Sequence, residues 1–328
     1  MAAHESGGDP VRLGRFLAGL AAYQSAPRAA ARPAGRAVAR IGTVRLLACG
    51  GPEDGPAVLL VPSIINGGAL LDLLPGRSLV EGLAARGLAV FRIDWGALDR
   101  GERRLGLAGL VSARLVPLAA RMPGRFLLAG HCLGGTLAAA AAAVLEPRLS
   151  RLVLIATPWR FSAYGPEAAS AWTALAPIAR ALGALPLEAL NPLFWARDMP
   201  GVFSKYAGLA ACPPDPAGLE LFAAVEDWAN GGPALPLPAA RDIFVGLMRE
   251  DRAARGRWRV RGRPVRPERL SVPAVEIGAA GDRLVPADAR PDWPGLAHVT
   301  LEGGHVGIIV GSRRGRLLDA LASAACTR

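Results

Sequence analysis

The sequence predicts a doubly wound, mostly parallel α/β sheet carrying an inserted helical cap. Short, mostly apolar runs at 57–61, 89–93, 126–129, 152–156 and 273–277 alternate with segments of helical spacing. Parallel strands buried on both faces read this way. From Trp159 to about Arg255 the alternation gives way to helical segments rich in proline, with Trp159, Trp172, Trp195 and Trp228 among them. The chain has 328 residues, 52% hydrophobic and 20% charged, which suits a well-packed globule and excludes extensive disorder.

In chain order, Val11, Leu13, Phe16, Leu17 and Leu20 have the spacing of a short amphipathic helix. The Ala/Arg/Pro stretch 26–40 reads as an irregular surface arm, and 43–49 as a first strand. Residues 1–48 are therefore expected to form an N-terminal helix and basic arm. The run 57–61 leads into Pro62-Ser63-Ile64-Ile65-Asn66-Gly67-Gly68, a loop of small residues after a central strand. Ser78 should cap a helix to Arg86, and 89–93 is the next strand, ending at Asp94-Trp95-Gly96. Helical spacing over 105–120 returns the chain to the strand at 126–129. The strand at 152–156 closes at Thr157-Pro158-Trp159. These readings divide the chain into a core of 49–158 and 256–328 and a cap of 159–255. Arg257 to Val265 alternates strictly, as a β-hairpin with one arginine face and one apolar face would.

Gly130-His131-Cys132-Leu133-Gly134 lies between the strand at 126–129 and an alanine-rich helix at 136–145. G-x-C-x-G at a strand-to-helix turn is nucleophile-elbow spacing, with glycines where side chains would collide. Cys132 would stand at a helix N-terminus, whose dipole and free N–H groups favour a thiolate. The plain alternative is a small buried cysteine in an ordinary turn. Downstream residues decide between them. Asp282, in Gly281-Asp282-Arg283-Leu284-Val285-Pro286, follows a late strand, and His305, in Gly303-Gly304-His305, follows the last one at 298–301. Nucleophile, acid and base in that order is the arrangement of the α/β-hydrolase fold. His305 would take the thiol proton, Asp282 would orient the ring, and the thiolate would attack an acyl carbonyl. Leu133 N–H and that of Ile64 or Ile65 are the expected oxyanion donors. Of the other histidines, His4 lies in the N-terminal tail, His298 within a strand, and His131 should point away from the nucleophile.

Cysteines 49, 132, 212 and 326 show neither paired nor metal-like spacing, so no disulfide framework, metal or bound cofactor is expected. No apolar run reaches the roughly 18 residues of a membrane span, and the polar start does not read as a signal peptide, so a cytoplasmic protein is expected. Net charge is +11, concentrated in 1–48 (+5) and 249–270 (+6). No nucleic-acid motif accompanies it and few aromatics interleave, so nucleic acid is not the expected partner. Anionic phosphates or an anionic surface fit better.

Several segments together resemble the polyhydroxyalkanoate synthase family. They are Val61-Pro62-Ser63-Ile64-Ile65-Asn66 with Leu71-Asp72-Leu73, Ser78-Leu79-Val80, and Val90-Phe91-Arg92-Ile93-Asp94-Trp95. Gly130 to Thr136, Thr157 to Ser162, Asp282 to Pro286 and Gly303 to Gly307 complete the set, which spans residues 57–310. The resemblance implies an acyltransferase that polymerises 3-hydroxyacyl groups from coenzyme A thioesters, the chain carried on Cys132 with His305 as base. It also implies that Asp282 helps activate the incoming hydroxyl. Lacking the long N-terminal domain of the larger synthases, the chain resembles the short type that works with a second subunit. A second synthase subunit, a homodimer and a storage-granule surface are the implied partners. Two positions depart from the family: His131 replaces an aromatic tyrosine, and Arg283 a common histidine. Two other readings stay open: a cysteine-dependent hydrolase (intracellular polyhydroxyalkanoate depolymerase, esterase or thioesterase), and a non-catalytic partner-binding protein of the same fold.

Overall fold

The computed structural model describes residues 5, 7–30, 32–97 and 101–326; His4 lies outside them. The sheet strands are β1 Arg36–Ile41, β2 Val44–Gly50, β3 Ala57–Val61, β4 Ala89–Asp94, β5 Phe126–His131, β6 Leu149–Ile155, β7 Ala274–Ala279 and β8 Leu296–Leu301. They lie in the order β1-β2-β4-β3-β5-β6-β7-β8. The pairs β1–β2 and β2–β4 are antiparallel, and the others parallel.

The sheet starts earlier than the expected basic arm allows. β1 turns into β2 through Gly42, whose φ of 63° suits a tight hairpin, with Ile41 opposite Val44. An edge strand keeps its arginines because one face stays in water, so its composition imitates that of an arm.

Alternate strand residues go to opposite layers. Leu59 and Leu128 join one apolar cluster with helices α3 Leu107–Leu110, α4 Val116–Ala119 and α5 Leu133–Leu145. Val58, Leu60 and Leu127 join the other, with α2 Leu79–Ala84 and the C-terminal helix Arg314–Cys326. A π turn at Val111–Leu115 links α3 to α4, so the two run as one continuous helix. Ser78 caps α2, its Oγ accepting from Glu81 N at 2.9 Å. Each fully buried leucine contributes about 1.5–3 kcal/mol, so these two layers hold the strand ends in place.

The cap segment contains α6 Gly165–Ser170, α7 Trp172–Leu182, α8 Leu187–Ala196, α9 Met199–Ala211, α10 Pro216–Asn230 and α11 Leu237–Arg241. The N-terminal helix, α1 Pro10–Ser25, packs against it rather than against the sheet. Phe16 stacks on Phe203 with centroids 4.9 Å apart, and Tyr23 meets Tyr206 and Phe222 edge-on. Gly19 lies directly on the Tyr206 carbonyl, leaving no room for a Cβ. The expected hairpin forms at Arg259–Val260 and Arg263–Pro264, turning through Arg261 and Gly262 at φ 52° and 74°. Trp258, Val260 and Val265 are buried, whereas Arg257, Arg259, Arg261 and Arg263 are exposed.

Candidate active site

The turn from β5 into α5 is strained at one residue. Cys132 has φ 55° and ψ −131°, a conformation that non-glycine residues avoid unless the surroundings impose it. Its N–H donates to Ile155 O of β6 at 2.9 Å, and its carbonyl accepts from Gly135 N at 2.9 Å. Gly130 rests on the Gly135 backbone, and Gly134 on the carbonyls of Val61 and Pro62. A side chain at either glycine would push the helix off the sheet. Cys132 itself is half-buried.

Leu133 opens α5, so its N–H has no partner one turn back in the helix. The next residue, Gly134, lies against the start of the loop after β3, at Pro62. In this loop Ile65 N donates to Ser63 Oγ at 3.2 Å, and among the described residues no such bond engages Ile64 N. Of the two isoleucines expected as oxyanion donors, only Ile65 is thus engaged within its own loop. Trp95 Nε1 donates to Pro62 O at 2.9 Å, and Asn66 Nδ2 donates to Ala229 O of the cap at 2.8 Å. Both fix the loop.

Asp282 and His305 come together across the ends of β7 and β8. His305 Nδ1 is 2.7 Å from Asp282 Oδ2. The other carboxylate oxygen accepts from Leu284 N at 2.9 Å and Val285 N at 2.8 Å. Burial pushes the Asp282 carboxyl up, but the hydrogen bond and charge of His305, then the two backbone donors, hold it below the usual range. Burial pushes His305 down. Against it, the Cys132 charge, the hydrogen bonds to Asp282 and Cys132, and the Asp282 charge raise the ring to about 10. The three residues named from sequence thus meet at one place, with His305 between sulfur and carboxylate.

Two neighbours were not legible in the sequence as members of the site. His131, expected to point away, has its ring centroid 5.0 Å from that of His305. Regular strand alternation stops at Cys132, and the loop after β8 folds onto the side that His131 faces. Tyr164, at the start of the cap, lies close enough for the charges of Cys132 and Asp282 to add to burial in raising its hydroxyl; Arg197 opposes them. The Arg197 guanidinium covers the Tyr164 ring at 4.9 Å and donates to Arg283 O at 3.3 Å. Arg283 turns outward to pair with Asp198 of the cap. His298 is half-exposed beside Glu276. Among the described residues no group of three His, Cys, Asp or Glu side chains gathers as a metal would require.

No family model matches the chain. The poly(3-hydroxyalkanoate) polymerase subunit PhaC of Allochromatium vinosum is 28% identical over 280 residues, 80% of this chain and 79% of that protein. The same-named subunit of Haloferax mediterranei is 27% identical over 281 residues, 78% of this chain but 55% of that protein. The chain thus spans little more than half the length of that relative. In Synechocystis sp. the subunit is 27% identical, covering 78% and 73%. Among solved structures, a thermophilic esterase from Thermogutta terrifontis superposes with a TM-score of 0.52 at 18% identity, covering 91% of this chain and 100% of that one. A proline iminopeptidase-related protein from Thermus thermophilus gives 0.50 at 19%, covering 86% and 92%. With the strand order above, these likenesses place the chain in the α/β-hydrolase fold.

Proposed function

We propose, from the chain's similarity to poly(3-hydroxyalkanoate) polymerase subunits over about four fifths of its length, that it is an acyltransferase of that kind. It passes 3-hydroxyacyl groups from coenzyme A thioesters through a covalent intermediate on Cys132. The observation that carries the reading is the 2.7 Å contact of His305 with Asp282 at the elbow cysteine.

His305 Nδ1 is committed to Asp282, which leaves Nε2 for the sulfur. The ring takes the thiol proton, and the thiolate forms a bond to the thioester carbonyl carbon. The carbonyl oxygen becomes an anion held by Leu133 N–H and Ile64 N–H. When the carbonyl re-forms, the bond to the coenzyme A sulfur breaks, and that sulfur leaves with the proton from His305. The hydroxyl of a second 3-hydroxyacyl group then gives its proton to His305. Its oxygen attacks the acyl carbon, and Cys132 leaves as thiolate and takes the proton back from His305. An ester replaces a thioester, and the enzyme returns to its starting state.

The resemblance assigned hydroxyl activation partly to Asp282. Here both carboxylate oxygens are engaged and the side chain is 1% exposed, which favours a proton route through His305 alone. The same reading makes a second subunit or a second copy of this chain, and a granule surface, the partners to test. No helix among the described residues is long and apolar enough to cross a membrane.

Purified protein incubated with 3-hydroxybutyryl-coenzyme A tests the proposal. Polymer with released coenzyme A is expected. Release of free acid instead would make the protein a hydrolase, and turnover no greater than that of Cys132→Ala would remove the catalytic reading.

A further inference from the structure

His131 ends β5, directly before the nucleophile, and the steps above leave it without a task. Its ring plane is tilted 41° to that of His305, and 3% of its surface is exposed. Its Nε2 has no hydrogen-bond partner among the described residues. A buried ring nitrogen left unpaired loses its hydration with nothing in return, and packing alone would be served by phenylalanine. The nitrogen calls for a reason.

The charges around the two rings supply one. His305 faces Asp282 from the loop after β7, Cys132 from the elbow and His131 from β5. His131 faces His305 and, through its field, Asp282. One carboxylate serves two imidazoles, and it is bonded to His305. Burial first, then the charge of His305, pushes His131 down to about 3; the Asp282 charge and a hydrogen bond to the His305 backbone oppose this without prevailing. A proton arriving at the pair therefore settles on His305, and His131 presents an uncharged dipole to it.

We propose that His131 is a positioning residue for His305: its ring holds the plane of His305 against Asp282 and offers the imidazolium a polar neighbour, so that His305 stays in place to take the Cys132 proton. The inference rests on the Cys132–His305 pair and not on which acyl group is transferred.

The test is the rate of Cys132 alkylation by iodoacetamide from pH 5 to 9, read peptide by peptide because Cys212 and Cys326 are exposed. In wild type the contact with His305 should make Cys132 alkylate faster at the acid end than the exposed Cys212 and Cys326. His131→Phe keeps a ring of similar size and should move the acid limb up by about one pH unit, roughly tenfold in rate at its foot. His131→Gln returns a polar group near the Nε2 position and should recover most of that loss. Identical profiles for wild type and His131→Phe would reduce His131 to packing and overturn the inference while leaving the pair intact. An ordinary thiol profile in wild type would remove the pair and the inference together. Should His131→Phe fail to fold, nitrogen NMR of wild type, which has four histidines, decides. His131 should stay neutral from pH 5 to 9, and protonation within that range would overturn the proposal.

Discussion

Around Cys132 the molecule is held by close backbone approach. Gly130 and Gly134 lie against neighbouring main chain, and α5 is buried along nearly its whole length. The cap and its N-terminal helix share one such approach, Gly19 on the Tyr206 carbonyl, and are otherwise held by long side chains. Tyr23 Oη donates to Asp227 at 2.7 Å, Tyr206 Oη to Glu226 at 2.7 Å, and Lys205 Nζ to Glu226 at 2.6 Å. Backbone contact leaves almost no play, so the first region can fix a nucleophile. Side-chain contacts re-form after small movements, so the second can shift without unfolding. Chemistry is thereby separated from access, and substitutions on the two sides should fail in different ways.

The sharpest contrast is at the sulfur. Cys132→Ala should remove on the order of 10⁴-fold or more of the acyl-transfer rate. Asp282→Asn should cost about 10³–10⁴-fold by loosening the imidazole. Next comes Gly134→Ala. Its Cβ would strike the Val61 and Pro62 carbonyls, so about 1–3 kcal/mol of stability should go, and activity with it. Calorimetry alongside the coenzyme A assay separates these cases. A stable, active Gly134→Ala protein would break the comparison, since the elbow would then have the give ascribed to the cap.

The two buried imidazoles should bend the stability curve in opposite directions. His305 is raised from 6.5 to about 10, so its contribution is whole below about pH 6.5 and is lost as pH rises toward 10. His131 is lowered to about 3. Between pH 6.5 and 3 the unfolded chain takes a proton there that the folded chain refuses, so stability falls on acidification. Asp282, held below its usual value, adds a loss at the acid end as it protonates. Urea midpoints from pH 4 to 10 should show the alkaline decline in wild type and a weaker one in His305→Gln. A weaker acid decline is expected in His131→Phe. Equal slopes in wild type and variants would mean that these rings are not buried as described.

How much of this could be read in advance follows from the range of the forces involved. The strand at 57–61, the elbow glycines and the Ser78 cap are local patterns, and each residue carries its own signal. β1 was hidden because an edge strand need be apolar on one face only, and Arg36 and Arg40 disguised it. The amphipathic spacing of α1 foretold a helix, yet nothing local says that Gly19 lies on Tyr206, 187 positions further on in the numbering. His131 was misjudged for the same reason: its partner is brought in by the far end of the sheet. Polar contacts across the fold depend on topology, and topology is what the local patterns specify least.

The smallest expected effects probe the strap between cap and sheet. After α1, Arg28 Nε donates to Asp227 of α10 at 2.7 Å. Four residues later, Arg32 reaches Asp72 at 2.8 Å and Glu81 at 2.6 Å on the sheet side. Arg32→Ala removes a charged partner from Asp72, whose side chain is largely buried, and should cost about 1.5–3 kcal/mol at most. The Arg28 pair is well exposed, and such pairs are worth about 0.2–1 kcal/mol, so Arg28→Ala should barely move the midpoint. Limited trypsin digestion distinguishes a strap from a mere surface decoration. If 26–35 tethers the cap, Arg32→Ala should speed cleavage in 159–255 severalfold, while the Cys132 alkylation profile stays that of wild type. Faster cleavage in the sheet as well would show the two regions to be one cooperative unit, and the division between a rigid nucleophile and a yielding cover would have to be given up.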